Sequence, residues 1–127
     1  MAAVCRVLKE QHGVKHAGIV YNLHHAHDHI GDFEQQLAIL QPWLLCLNLN
    51  GMNDNAQPKI LPIGDGQHER RLIELILKSG YAGPIGIIDH REQLDAEESL
   101  QQNLTGLQRV LRELGQEAAA ASFGSGK

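Results

Sequence analysis

Apolar positions along the chain fall into two alternating rhythms, one of helical period and one of short continuous runs. Val4, Val7 and Leu8 recur at helical spacing between Ala3 and His12, and Gly13 supplies a C-terminal stop. The run HAGIVYN, residues 16–22, is β-branched and uninterrupted, which predicts a buried strand. Asp32, with Gln35 three residues on, predicts a capped second helix lined by Phe33, Leu37 and Leu40 and ended by Pro42. WLLCLNLN, residues 43–50, predicts a second strand, GMNDNAQP a loop, and KILPIGDG a short extended piece running into a glycine turn. QHERRLIELILKSG, residues 67–80, reads as an amphipathic helix closed by Gly80, and GPIGIIDH as a third strand. Asp95 and Glu98 predict the cap of a long last helix carrying Leu100, Leu104, Leu107, Leu111 and Leu114.

Strands of this kind alternating with amphipathic helices predict an α/β protein with a parallel sheet under helical cover. Residues 1–114 are expected to form that portion, and residues 115–127, lacking a periodic apolar face, a flexible tail. Each predicted strand is apolar until its C-terminal end and then turns polar: Asn22 to His25, Asn48 to Asn50, Asp89 to His90. α/β sheets place their binding groups at such ends, so the three ends are expected to share one rim.

The rim is rich in groups that do chemistry. YNLHHAHDHI, residues 21–30, holds four of the chain's eight histidines. Neutral imidazole ligates transition metals and titrates near neutral pH. On an extended segment His25 and His27 would point the same way and share a site; otherwise they line a pocket or stay solvated. His24 is a further candidate. Asn48 and Asn50 offer amides to the hydroxyls of a polar ligand, or else an asparagine at the strand end, followed by Gly51, caps the strand and enters the left-handed region. Asp89 is a candidate metal ligand or base, or else a cap or an ion-pair partner of Arg91. The Gly64–Gly66 turn is placed to hold an anion at a helix N-terminus. No GxSxG or cysteine-protease context is present.

Composition narrows the partners. A net charge of -4 with no basic run argues against nucleic acid, and seven aromatic or methionine side chains are few for stacking. Cys5 and Cys46 have no metal-finger or redox spacing and read as reduced residues of a cytoplasmic protein. No signal-peptide core or membrane-length apolar run occurs, so no membrane partner is expected.

Taken together, GIVYNLHHAHDHI, PWLLCLNLNGM, KILPIGDG and GYAGPIGIIDH resemble the sugar phosphate isomerase/epimerase superfamily, the xylose isomerase-like TIM barrels. The likeness runs over residues 14–112 and implies a partial (β/α)8 barrel of about three βα units, matching the last three strands. It implies a small sugar or sugar phosphate as ligand and a divalent metal (Mn, Mg, Zn or Co). Its activity would be metal-dependent proton transfer next to a sugar carbonyl. The family's D-x-x-H is matched by Asn22 and His25, its next-strand histidine falls near Asn48, and its last glutamate near Asp89. The resemblance thus makes Asp89 and His25 the catalytic candidates, Asn22, His24, Asn48 and Asn50 the substrate contacts, and Asp89 and His27 the metal ligands. Asn22 and Asn48 stand where the family carries an aspartate and a histidine. The family's first-strand glutamate would lie before Met1, so the chain is expected to be a piece of a barrel. As such it would be incomplete as an enzyme and prone to self-association at its open edges. The alternatives are a non-catalytic carbohydrate-binding or assembly remnant, and a phosphodiester-cleaving relative of endonuclease IV.

Overall fold

The computed structural model describes residues 1–122. Its element order is α1 (Ala2–His12), β1 (Ile19–Asn22), α2 (Phe33–Leu40), β2 (Leu44–Leu49), β3 (Gly51–Met52), β4 (Ile60–Leu61), α3 (Glu69–Lys78), β5 (Ile85–Ile87), α4 (Ala96–Glu113) and α5 (Glu117–Ser122). The protein is a mixed α/β structure with a three-stranded parallel sheet in the order β1-β2-β5 and a separate β3-β4 hairpin. No described helix is long and apolar enough to cross a membrane. The chain forms two compact units. One comprises Met1–Asn48 with Leu75–Gly86; the other comprises Leu49–Glu74 with the described residues from Ile87 onward.

In the first unit, α1 ends as its sequence predicts, with Gly13 left-handed at φ 64° and its N–H bonded to the Leu8 carbonyl. β1 and β2 run parallel, pairing Val20 with Cys46, Tyr21 with Leu47 and Asn22 with Asn48. Strand alternation buries Ile19, Tyr21 and Leu47 on one face of the sheet. Phe33 of α2 meets the Tyr21 ring edge-on at 5.7 Å between centroids. The expected capping box before α2 does not form. Asp32 instead closes a 3-10 turn, His27–Asp32, and its side chain makes no cap bond. Local 3-10 geometry satisfies those backbone groups instead.

The second unit is built on α4. Asp95 accepts the Glu97 N–H at 2.8 Å and caps the helix, while Glu98 turns aside to accept from Gln102. The buried face is Ser99, Asn103, Gly106, Leu107, Val110 and Leu111, whereas Leu100 is half exposed. Only the middle of the leucine stripe, Leu107 and Leu111, is therefore buried, and polar Ser99 and Asn103 take the inward positions of the first turns. Gly106 lets it approach the Ile63 carbonyl so closely that a Cβ there would lie 1.7 Å from the oxygen. The segment 51–58, expected to be loop, opens with β3, which pairs with β4 in register Gly51–Leu61 and Met52–Ile60. Gly51 keeps negative φ but admits the Pro62 carbonyl where a Cβ would sit, so close approach is its role. The tail expected to fray carries α5, with Ala120 fully buried; the rest of that tail, residues 123–127, lies outside the described residues.

Candidate functional site

The polar end of the first unit's sheet is assembled by strand register. Val20, Asn22, Cys46 and Asn48 alternate with the buried residues and so share the opposite face. Asn22 and Asn48 stand side by side, and the Asn48 Nδ2–H donates to Asn22 Oδ1 at 2.6 Å. The Cys46 thiol donates to Asn48 Oδ1 at 3.4 Å. A side chain at position 86 would strike the Asn48 amide oxygen, its Cβ lying 2.2 Å away, so Gly86 makes room for that amide. The chain of donors runs one way, from thiol to Asn48 to Asn22. It leaves the Asn22 Nδ2 as the outward donor, suited to a hydroxyl or carbonyl oxygen. Neither Cys46 nor Gly86 was singled out by sequence; only the pairing register of β1 with β2 reveals them.

The histidines following β1 separate in role. Residues 23–26 form a turn that leads into the 3-10 segment, so His25 and His27 do not stand on an extended strand. His25 is exposed, His24 half-buried and His27 buried. The rings of His24 and His25 meet edge-on at 5.2 Å. Behind them the Tyr21 hydroxyl donates to Gln36 Oε1 at 3.0 Å, and Gln36 Nε2 donates to the His29 carbonyl at 3.4 Å. Burial pushes the Tyr21 phenol up, so it stays a neutral donor. The pair Tyr21–Gln36 thereby holds the histidine turn against α2.

Asp89 stands in a closed network of the second unit. Its Oδ1 accepts from the Arg91 backbone N–H at 2.9 Å and from Arg91 Nε at 3.0 Å. Its Oδ2 accepts from Ser99 Oγ at 2.6 Å, from Asn103 Nδ2 at 2.7 Å and from Arg91 Nη2. Burial opposes the charged form, but the bonds from Arg91, Ser99 and Asn103 together outweigh it and hold the carboxyl well below the usual carboxylate range. The ion-pair alternative is what the structure shows. Asn103 also accepts the Ile63 N–H at 3.0 Å, so one buried amide joins Asp89 to the turn before α3.

Asn50 is buried and bonds locally, its Nδ2 donating to the Gly51 carbonyl at 3.3 Å. At the helix N-terminus after the glycine turn stands the chain's own Glu69, its side chain turned to the β3 backbone. This carboxylate is 2% exposed, and its Oε1 accepts the Met52 N–H at 2.8 Å. Burial pushes the Glu69 carboxyl up, against backbone hydrogen bonds that favour its charge. A group raised in this way contributes its stability at low pH and loses it as pH rises through the folded value. Glu69→Gln, which keeps the acceptor and removes the charge, should raise the melting temperature by a few degrees at pH 7 and by less at pH 4. A lower melting temperature at pH 7 would show that the charge is net stabilising. Beside it, His68 Nε2 and Asp54 Oδ1 lie 2.7 Å apart, and the Asp54 N–H bonds to Gln67 Oε1 at 2.8 Å.

The positions that match the resembled family's metal ligands do not fit a divalent ion. Asn22 and Asn48 spend their facing amide atoms on each other, and both Asp89 oxygens are taken by donors. Asp54 and His68 did not stand out in the sequence, since the residues between them carry no ligand spacing. No protein-family model, curated protein or solved structure matches the chain.

Proposed function

We propose that the chain binds a small sugar or sugar phosphate at the polar ends of its parallel strands, as a portion of a xylose isomerase-like (β/α)8 barrel. The Asn22–Asn48 pair carries this reading. Two adjacent parallel strands that are apolar along their length end together in hydrogen-bonded amides, and amides recognise hydroxyls without demanding charge. His25 beside them adds an exposed imidazole to the same rim. Asp89, the residue the resemblance offers as base, is engaged by Arg91, Ser99 and Asn103, which favours binding without turnover.

A second reading retains the family's metal-dependent isomerase or epimerase chemistry, and the second unit's His68 imidazole, 2.7 Å from the Asp54 carboxylate, supports it as a pair of ligand-type groups. Both are tested by ligand-observed NMR with aldoses, ketoses and their phosphates, run alongside an interconversion assay in Mn, Mg, Zn or Co. Binding without conversion, weakened about tenfold or more by Asn48→Ala through one lost hydrogen-bond pair, is the expected result. Conversion lost on His68→Ala would establish the second reading. No binding of any of these sugars sinks both.

A further inference from the structure

An asparagine amide is both donor and acceptor, so a facing pair can bond in either sense, Asn48 donating to Asn22 or Asn22 to Asn48. Strand register brings the two together but does not choose between the senses. The Cys46 thiol meets the pair from outside, its sulfur 3.4 Å from Asn48 Oδ1 and 3.7 Å from the Leu47 carbonyl oxygen. A thiol offers one S–H donor and a weakly accepting sulfur, so it satisfies an amide oxygen better than an amide N–H. Gly86 leaves that oxygen its space, since a Cβ there would lie 2.2 Å from it. With Asn48 so oriented, its Nδ2 donates to Asn22 Oδ1, and the Asn22 Nδ2 remains. Asn22 lines a cavity of about 390 Å³ with His25 and Gln36. Gln36 is spent on Tyr21 and the His29 carbonyl, so the Asn22 amide is the group that brings uncommitted N–H donors to that space.

We propose that Cys46 is a positioning residue of this rim: by fixing the sense of the amide pair it makes Asn22 a donor, and so selects a ligand with an oxygen acceptor at that contact. The ligand preference rests on the sugar reading, whereas the role of Cys46 rests on the amide pair alone. A sugar hydroxyl, carbonyl or phosphate oxygen accepts from the Asn22 Nδ2–H. An ammonium in the same place, as on an amino sugar, sets a donor against a donor and leaves both unsatisfied. A reversed pair would turn Asn22 Oδ1 outward and abolish that discrimination.

The test begins with NMR of the side-chain amides in the full chain without ligand. In the native chain an Asn48 amide proton should exchange slowly with water and those of Asn22 quickly. Cys46→Ala removes the outside donor and should spread the protection over both residues; Cys46→Ser returns a donor and should restore the native pattern. Circular dichroism checks that both variants fold. The second measurement compares a bound sugar with the same sugar carrying ammonium in place of each hydroxyl in turn. At one position the native chain and Cys46→Ser should prefer the hydroxyl about tenfold or more, and Cys46→Ala by less than about threefold. Lost packing alone would weaken both ligands equally and leave that ratio unmoved. An exchange pattern identical in the native chain and Cys46→Ala, or a ratio the same in all three proteins, overturns the proposal. If the exchange pattern shifts as expected but no sugar binds, the sugar reading falls with the ligand preference, and the positioning role of Cys46 stands.

Discussion

Replacing Asp89 by alanine is expected to lower the unfolding free energy by about 3 kcal/mol, the order found when one partner of a largely buried ion pair is removed. The Asp89 and Arg91 side chains are 12% and 15% exposed, so the guanidinium left behind would be short of water as well as of its partner. Ser99 Oγ and the Asn103 amide lose the same acceptor, and Asn103 in turn orients the Ile63 N–H. The pH dependence follows from the sign of the shift. The folded carboxyl is held below its ordinary value near 3.9, so its contribution is complete above that value. It is lost as pH falls from about 4 through the depressed value. Urea titrations of the native chain and Asp89→Ala at pH 7 and pH 3 check this. The gap between them should narrow at pH 3, and a constant gap would show that the carboxylate's charge contributes nothing.

Gly106→Ala is expected to destabilise the protein by about 2 kcal/mol, although alanine is the better helix former by roughly 1 kcal/mol in an exposed helix. The two effects compete, and distance decides between them. The added methyl would stand 1.7 Å from the Ile63 carbonyl oxygen, a backbone atom that cannot swing aside. The turn must move, and with it the Ile63 N–H that Asn103 holds and the fully buried Ile63 side chain. Thermal melts of the variant settle the sign, since helix propensity acting alone would raise the melting temperature.

Much of the element pattern was legible in the sequence because it depends on neighbours three or four residues away. α1 with its Gly13 stop, α4 with its Asp95 cap, and the three strands all lie where periodicity puts them. The α2 capping box was displaced by an adjacent 3-10 turn, the β3-β4 hairpin formed from short segments without alternation, and α4 turned its polar Ser99 and Asn103 inward instead of Leu100. For α4 the cause is distant in sequence: Asp89 and the Ile63 N–H draw Ser99 and Asn103 inward against the local pattern. The candidate site shows the same division. Asn22 and Asn48 were visible as polar strand ends, whereas Cys46, Gly86 and the Tyr21–Gln36 prop were not.

By itself the sequence determined the alternation of strand and helix, the apolar run of each strand, and the polarity of the strand ends. These follow from side-chain period and turn chemistry, which operate within a few residues. Tertiary structure alone decided what the polar groups do. Register set Asn48 against Asn22 and left an outward amide, while Arg91, Ser99 and Asn103 converged on the Asp89 carboxyl. Hydrogen bonds and ion pairs depend on distances of a few tenths of an ångström between residues far apart in the chain. Only the packed fold sets those distances.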